Sequence, residues 1–143
     1  MKIKDVVGAK PTQGVVTISP DATVRDLLGL LAEHNIGAVV VSADGSGVEG
    51  IVSERDVVRR LHGDEAVLGS PVSAIMTVEV HTAEPDHDLE STRLAMTERR
   101  IRHMPVVADG KLVGIISIGD VVKSHIDRVE FERDQLDSYV HQQ

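Results

Sequence analysis

The sequence predicts a mixed α/β (α+β) fold in which one β-α-β-β-α unit occurs twice and a long helix follows. The strongest signal is a repeated corner, because residues 50–56 (GIVSERD) return as residues 114–120 (GIISIGD). Each copy is a glycine, a short β-branched run and a Ser-x-x-Asp motif that opens a helical pattern. Upstream, the copies align at a spacing of 65 residues, which pairs Pro20 with Pro85. A segment that recurs at a fixed period indicates a repeat architecture.

In the first copy, residues 15–18 predict a strand. Thr23 is positioned to cap a helix that begins at Val24, with Asp26 at its third position. Residues 35–37 contain an asparagine and a glycine and should end this helix. Its apolar residues recur at helical spacing and are Val24, Leu27, Leu28 and Leu31.

The rest of the first copy predicts a hairpin and a second helix. Residues 38–41 form a fully apolar strand, residues 44–47 a turn, and residues 48–52 the next strand. Ser53 then caps a helix that runs to about Leu61.

Residues 62–70 are polar and contain two glycines, so they mark the break between the copies. The first helix of the second copy, from Leu89 to about Arg99, has a weak apolar stripe and is predicted partly from its twin. The arm before the first copy combines a short apolar pattern with a loop around Pro11. The predicted units are an N-terminal arm (1–14), a first repeat (15–62), a linker (63–79), a second repeat (80–125) and a C-terminal helix (126–143).

The helical pattern continues after Asp120 to the C-terminus. Its apolar residues alternate four- and three-residue steps, as in a heptad repeat, with Arg133 in the one polar position. We expect a terminal helix that packs on a partner subunit or across its own unit, and the alternative is a frayed, solvated tail. The residues of this seam are Val122, Ile126, Val129, Leu136 and Val140.

Composition restricts the class of protein. A chain of 143 residues can bury one good core, so we expect the repeats to share it. There is no cysteine, no long apolar run, and no apolar N-terminal signal, which favours a cytoplasmic protein without disulfides, thiolate metal sites or a membrane span. A net charge of −8, with Phe131 and Tyr139 as the only aromatic residues, disfavours nucleic-acid binding.

Basic residues are nevertheless concentrated beside the repeated motifs. Such clusters on an acidic chain favour a small anionic ligand over a polymer. The alternative for Arg59, Arg60, Arg99 and Arg100 is a solvated helix end. The two clusters are Arg55, Arg59 and Arg60, and Arg99, Arg100, Arg102 and His103.

Together these features resemble the CBS (cystathionine-β-synthase) domain family, as a tandem pair. The resemblance rests on residues 36–41 (IGAVVV), their twin 101–107 (IRHMPVV), the two corners and the linker 72–77 (VSAIMT), and it covers about 120 of the 143 residues. The motif at residues 117–120 with its long tail is similar to stand-alone bacterial members, which carry no catalytic domain.

The resemblance implies two β-α-β-β-α units related by a pseudo-two-fold axis, with their sheets face to face and two clefts between them. It implies adenine nucleotides as ligands, namely AMP, ADP, ATP or S-adenosylmethionine, and in some stand-alone members NAD(H). It also implies a flat, disk-like homodimer.

The family pattern assigns residues to both clefts. Asp120 and Asp56 are assigned to the ribose diol, for which an ionised carboxylate supplies paired acceptors. The phosphate is assigned to Ser117, Ser53, Arg55, Arg102 and His103. The first cleft would be lined by Thr17, Ile18, Ile36, Gly37, Ala38, Ile115, Ser117 and Asp120. The second cleft would be lined by Thr82, Ile101, Arg102, His103, Ile51, Ser53, Arg55 and Asp56.

The clefts are not expected to be equivalent. His103 and Arg55 belong to the second cleft, whereas Ala38 and Gly119 take these places in the first. The two clefts therefore differ in ligand or affinity, or one stays empty. Arg102, at the pseudo-axis, can serve either cleft.

The structural alternative for Ser-x-x-Asp is a helix cap, and a cap and a ligand contact are compatible.

The sequence thus predicts a regulatory sensor of adenine nucleotides that acts on an unknown partner protein through a conformational or dimer change. The alternative is a structural adaptor with vestigial clefts, whose C-terminal helix binds the partner. Without a nucleophile–base set or a P-loop, an enzyme is not expected. His81 and His87 lack the spacing of metal ligands, so no metal site is predicted.

Overall fold

The computed structural model describes residues 1–9 and 14–141 and confirms the mixed α/β fold with two similar units. Pro11, in the predicted loop, lies outside the described residues. The helices are α1 (Ile3–Gly8), α2 (Val24–His34), α3 (Glu54–Leu61), α4 (Leu89–Arg99) and α5 (Ile118–His141). The strands are β1 (Thr17–Ile18), β2 (Ala38–Val41), β3 (Gly50–Ser53), β4 (His103–Ala108) and β5 (Lys111–Ser117).

In the first unit, β1 pairs in parallel with β2, and β2 pairs antiparallel with β3. Helix α2 begins as predicted, because the Asp26 amide donates to Thr23 Oγ1 and the Thr23 amide donates to Asp26 Oδ2, both at 3.1 Å. It ends at Asn35, whose φ of 52° is left-handed, a conformation that asparagine tolerates well. Both predicted ends of this helix are confirmed.

The second unit contains the antiparallel pair β4–β5 but lacks the predicted first strand. In its place, Ala83 forms a single parallel bridge to β4, with one hydrogen bond to Pro105 O at 2.9 Å and one from Val107 N at 2.8 Å. The first unit has a β-branched run here, whereas the second has His81 and Ala83 at the positions of Val16 and Ile18, and these residue types favour a strand less.

The buried residues form two hydrophobic clusters, one in each unit. The prediction of one shared core is therefore wrong, because each unit closes its own sheet with its own helices and one segment from elsewhere in the chain. Members of the first cluster include Val24, Leu27, Val39, Val52 and Val72. Members of the second include Ile3, Met96, Val106, Ile116 and Val121.

Each core also contains one short segment that precedes the other unit in the sequence, and we call these two segments the exchanged segments. Residues 72–77 precede the second unit but pack on the first, where the Val72 amide donates to Ala22 O at 2.8 Å. Helix α1 precedes the first unit but packs on the second, where the Ile3 amide donates to His87 O at 3.0 Å. The predicted arm and linker thus each complete the core of the unit that is not next in sequence.

Each corner begins with a glycine because an exchanged segment lies against it. A Cβ at Gly50 would lie 2.7 Å from Met76 Sδ and 2.9 Å from the Thr77 carbonyl oxygen. A Cβ at Gly114 would lie 2.8 Å from Val7 Cγ1. These close contacts favour glycine over any larger residue at the start of both corners.

Helix α5 confirms the long C-terminal helix and extends beyond its unit. Val121 is buried in the second core, but every described residue from His125 to His141 is exposed. The terminal part does not pack across its own unit, which leaves the partner-subunit alternative open.

Candidate ligand-binding clefts

Both Ser-x-x-Asp corners form the same hydrogen-bonded cap at the end of a strand. The Ser53 amide donates to Asp56 Oδ2 at 2.9 Å, and the Asp56 amide donates to Ser53 Oγ at 3.4 Å. The Ser117 amide donates to Asp120 Oδ2 at 2.9 Å, and the Asp120 amide donates to Ser117 Oγ at 3.1 Å. The helix-cap alternative is therefore correct as a description of the local structure. It leaves Oδ1 of Asp56 outside the cap.

The second cleft is a cavity of about 290 Å³ beside the first corner. It contains every residue predicted for it except Thr82. Four arginines face three carboxylates there, on a chain whose net charge is −8. The positive groups, with two histidines, are Arg55, Arg59, Arg100, Arg102, His81 and His103, and the carboxylates are Glu54, Asp56 and Glu79.

The first cleft is a larger cavity, about 440 Å³, beside the second corner. Asp120 is the only carboxylate among the described residues that line it, and none of those residues is an arginine or lysine. Its lining includes the predicted Ile36, Gly37, Ala38, Ile115, Ser117 and Asp120, together with Val7, Val15, Val16, His34 and Val113. The first cleft thus has fewer charged groups than the second.

Each cleft is built from both units. The second cleft joins the corner that contains Asp56 to residues 100–103 of the second unit. The first cleft joins the corner that contains Asp120 to residues 34–38 of the first unit. Within each unit, an equivalent hydrogen bond links the start of the second helix to the segment that precedes the middle strand. The Glu54 amide donates to Gly37 O at 3.0 Å, and the Ile118 amide donates to Arg102 O at 2.8 Å.

Three predicted residues lie outside these cavities. Ile18 is buried in the first core and Thr17 pairs with Val40, while Val15 and Val16, just before β1, face the first cleft. Thr82 lines a separate surface depression with His87 and Arg99, and Val80 and His81 face the second cleft instead. In both units the residues that face a cleft precede the predicted ones by one to three positions, and in the first unit Ile18 points into the core instead.

Several lining residues were not predicted. Arg59 lies one helical turn after Arg55 on α3, so their i, i+4 spacing was an available signal. The role of Val7 could have been inferred from the similarity between residues 3–8 and residues 72–77. Both segments have apolar residues at their first, fourth and fifth positions. Nothing in the sequence indicated that Glu79 and His34 face the clefts.

His103 lies between the clefts and lines both of them, as do Gly37 and Ala38. The prediction that His103 belongs to the second cleft alone is therefore wrong. Ala38 is its partner at a spacing of 65 residues, so the equivalent positions carry a methyl group in the first unit and an imidazole in the second. Arg102 lines only the second cleft among the described residues.

The described residues contain no group of three or more His, Asp or Glu placed to hold a metal ion. None of the helices in residues 1–9 and 14–141 is long and apolar enough to cross a membrane.

Proteins of one family are similar to this chain over most of its length. The CBS domain family model matches residues 3–63 and 72–127. The CBS domain-containing protein YhcV of Bacillus subtilis is 33% identical over 110 residues, which cover 77% of this chain and 78% of YhcV. The mitochondrial CBS domain-containing protein CBSX3 of Arabidopsis thaliana is 34% identical over 125 residues, which cover 84% of this chain and 61% of CBSX3.

Solved structures agree through both units. The CBS-domain containing protein ATU1752 from Agrobacterium tumefaciens is 40% identical, with a TM-score of 0.82 over 87% of this chain and 99% of that one. The CBS domain pair of protein MJ0100 is 23% identical and shares the fold, with a TM-score of 0.78 over 90% of this chain and 98% of that one. Because the family model matches both units, exchanged segments included, and the solved folds coincide with them, the chain belongs to the CBS domain family, as a tandem pair of CBS domains.

Proposed function

We propose that this chain is a regulatory module that binds adenine nucleotides in the two clefts, with AMP, ADP, ATP or NAD(H) as ligands. The observation that carries the proposal is the second cleft, where four arginines lie beside the helix start that Ser53 and Asp56 cap, on a chain of net charge −8. Arginine is well suited to phosphate recognition because its planar fork donates paired hydrogen bonds.

The other parts of a nucleotide also find matching groups in the second cleft. Asp56 offers carboxylate oxygens to the ribose diol, and Ile51 and Ile101 offer apolar walls to the adenine. The cavity volume of about 290 Å³ is near the lower end of the ~300–1,000 Å³ that is typical of small-molecule sites. The solved MJ0100 pair is described as a complex with 5′-methylthioadenosine and S-adenosylmethionine, two adenosine compounds, which supports the same ligand class here.

The first cleft favours a less charged ligand or ligand portion. Its described lining has Asp120 for a ribose and valine and isoleucine side chains for a base, but no arginine or lysine for a phosphate. We infer that nucleotide phosphates bind preferentially in the second cleft.

The mechanism follows from the shared construction of the clefts. A ligand in either cleft contacts both units, so it favours one relative orientation of the units over others. The resulting population shift is limited by the difference in ligand affinity between the orientations. Ser53 and Ser117 are engaged in helix caps with aspartates, which supports binding rather than nucleophilic catalysis.

A second candidate function is a structural adaptor with empty clefts, favoured by the exposed apolar residues of α5. Mass spectrometry of ligand carried through purification of the intact protein separates the two. A co-purified adenine nucleotide supports the sensor, and its chemical identity distinguishes AMP from NAD(H). Ligand-free protein that also fails to bind AMP, ATP or NADH would leave the adaptor as the better account.

A further inference from the structure

Helix α5 carries an apolar seam that its own chain leaves uncovered. The seam residues are 44% to 67% exposed, although α5 is helical from Ile118 to His141. They are Val122, Ile126, Val129, Leu136 and Val140. Most of the stability of a helix in a protein comes from packing of its apolar face rather than from helix propensity. The exposed seam therefore favours packing against a partner.

The spacing of the seam identifies the kind of partner. Steps of four and three residues assign Ile126, Arg133 and Val140 to heptad position a, and Val122, Val129 and Leu136 to position d. This is the pattern of a helix that packs against another helix in a left-handed coiled coil. The flanking positions are Lys123, Glu130 and Asp137 at e, and His125, Glu132 and Tyr139 at g.

The charges disfavour a parallel pair of identical helices. In a parallel dimer the two Arg133 side chains would meet in one core layer. Glu132 would also face Asp137 of the other helix twice, since g residues face e residues one heptad on. All of these contacts join like charges and are unfavourable.

An antiparallel pair relieves these contacts. With Val129 of one helix opposite Arg133 of the other, the remaining layers pair Ile126 with Leu136 and Val122 with Val140. Lys123 then faces Asp137 at both ends of the pair. Each Arg133 lies near Glu130 and Glu132 of the other helix, which offsets the repulsion between those glutamates across the axis.

We propose that α5 of one chain pairs with α5 of a second copy of this chain as an antiparallel two-stranded coiled coil, centred between Val129 and Arg133. This pairing forms a closed two-fold contact in which the same face of both chains is buried. It does not depend on the proposed nucleotide binding.

Charge reversal tests the orientation through the dimer dissociation constant, measured by analytical ultracentrifugation of the full chain. We expect Asp137→Lys to weaken the dimer roughly two- to tenfold, because two attractive pairs become repulsive. Adding Lys123→Asp should restore it. Asp127→Lys, which makes the same charge change outside the seam, is the matched control and should leave the dimer unchanged. A tighter dimer in Asp137→Lys would indicate the parallel pair and overturn the proposal.

Cross-linking tests the register, because the chain has no native cysteine. In the antiparallel pair the two copies of residue 130 lie near the two-fold axis, whereas the two copies of residue 122 lie about 27 Å apart along the helices. A short bis-maleimide should therefore cross-link Glu130→Cys to itself but not Val122→Cys. The reverse result would overturn the proposal, as would a wild-type chain that stays monomeric or a dimer that persists in Leu136→Glu.

Discussion

Ser53 and Asp56 form a reciprocal pair of hydrogen bonds at the start of α3, with the Ser53 amide 2.9 Å from Asp56 Oδ2. The same carboxylate faces the second cleft. One carboxylate oxygen of Asp56 therefore accepts the hydrogen bond of the helix cap, and the other is available to a ligand. These two roles can be separated by experiment.

Asp56→Ala should lower both stability and affinity. The lost cap should cost about 1 kcal/mol of unfolding free energy. The lost ribose acceptor should weaken AMP binding about tenfold or more, since hydrogen bonds to charged groups contribute ~1.5–3 kcal/mol. Urea denaturation and calorimetry measure the two effects.

Asp26→Ala is the matched control for Asp56→Ala. Asp26 forms the same reciprocal cap with Thr23 at α2 but lines neither cleft. It should reproduce the stability loss with unchanged affinity. Equal AMP affinity in both variants would refute the assignment of Asp56 to the ribose.

Arg100→Asn should change stability and binding in opposite directions. Arg100 ends α4 with a left-handed φ of 55°, as Asn35 ends α2 with a φ of 52°. Asparagine tolerates this conformation better than arginine, so we expect a gain of a few tenths of a kcal/mol to about 1 kcal/mol. Because Arg100 lines the second cleft, AMP affinity should fall.

Arg25→Asn serves as the comparison for Arg100→Asn, since Arg25 is an exposed α2 residue that lines neither cleft. If Arg100→Asn bound AMP as tightly as the wild type, Arg100 would be a helix end without a role in the ligand site.

The corner glycines should differ in their tolerance of a methyl group. Gly50→Ala meets a backbone oxygen at 2.9 Å, whereas Gly114→Ala meets the side chain of Val7 on the short helix α1. Overpacking typically costs ~1–3 kcal/mol, and the fixed backbone puts Gly50→Ala at the upper end. Val7→Ala should rescue Gly114→Ala in part.

Gly29→Ala completes this series of denaturation experiments. Gly29 lies within α2, and no neighbouring atom lies within 4 Å of the position that a Cβ would take, so alanine should stabilise the helix by up to about 1 kcal/mol. In the same experiments, equal losses of unfolding free energy in Gly50→Ala and Gly114→Ala would contradict the packing difference between the two exchanged segments.

His103→Ala should weaken ligand binding in both clefts, because His103 lines both. Arg55→Ala should affect the second cleft alone. His62→Ala, an exposed substitution after α3, provides the control. Calorimetric titrations that show one affected binding event in His103→Ala would assign His103 to a single cleft.

Much of the fold was predictable because it depends on local signals. The ends of α2 follow from Thr23 and Asn35, and the start of α3 follows from Ser53. The second corner could be inferred from the first. These signals act within a few residues and leave a direct trace in the sequence.

The features that escaped prediction depend on contacts between distant segments. The exchange of α1 and residues 72–77 creates two cores from one chain, and no local pattern indicates which unit a segment completes. The shared position of His103 likewise depends on how the units face each other. Val16 rather than Ile18 lines the first cleft, because the side chain of Ile18 points into the first core.

The most direct test of nucleotide binding is calorimetric titration of AMP into intact protein that has been stripped of ligand by unfolding and refolding. We predict saturable binding that weakens in both Asp56→Ala and Asp120→Ala. At a concentration of 100 times the dissociation constant, AMP should add about 2.7 kcal/mol to the unfolding free energy. An absence of binding heat and of any rise in melting temperature with AMP, ATP, S-adenosylmethionine and NADH would contradict the proposed function.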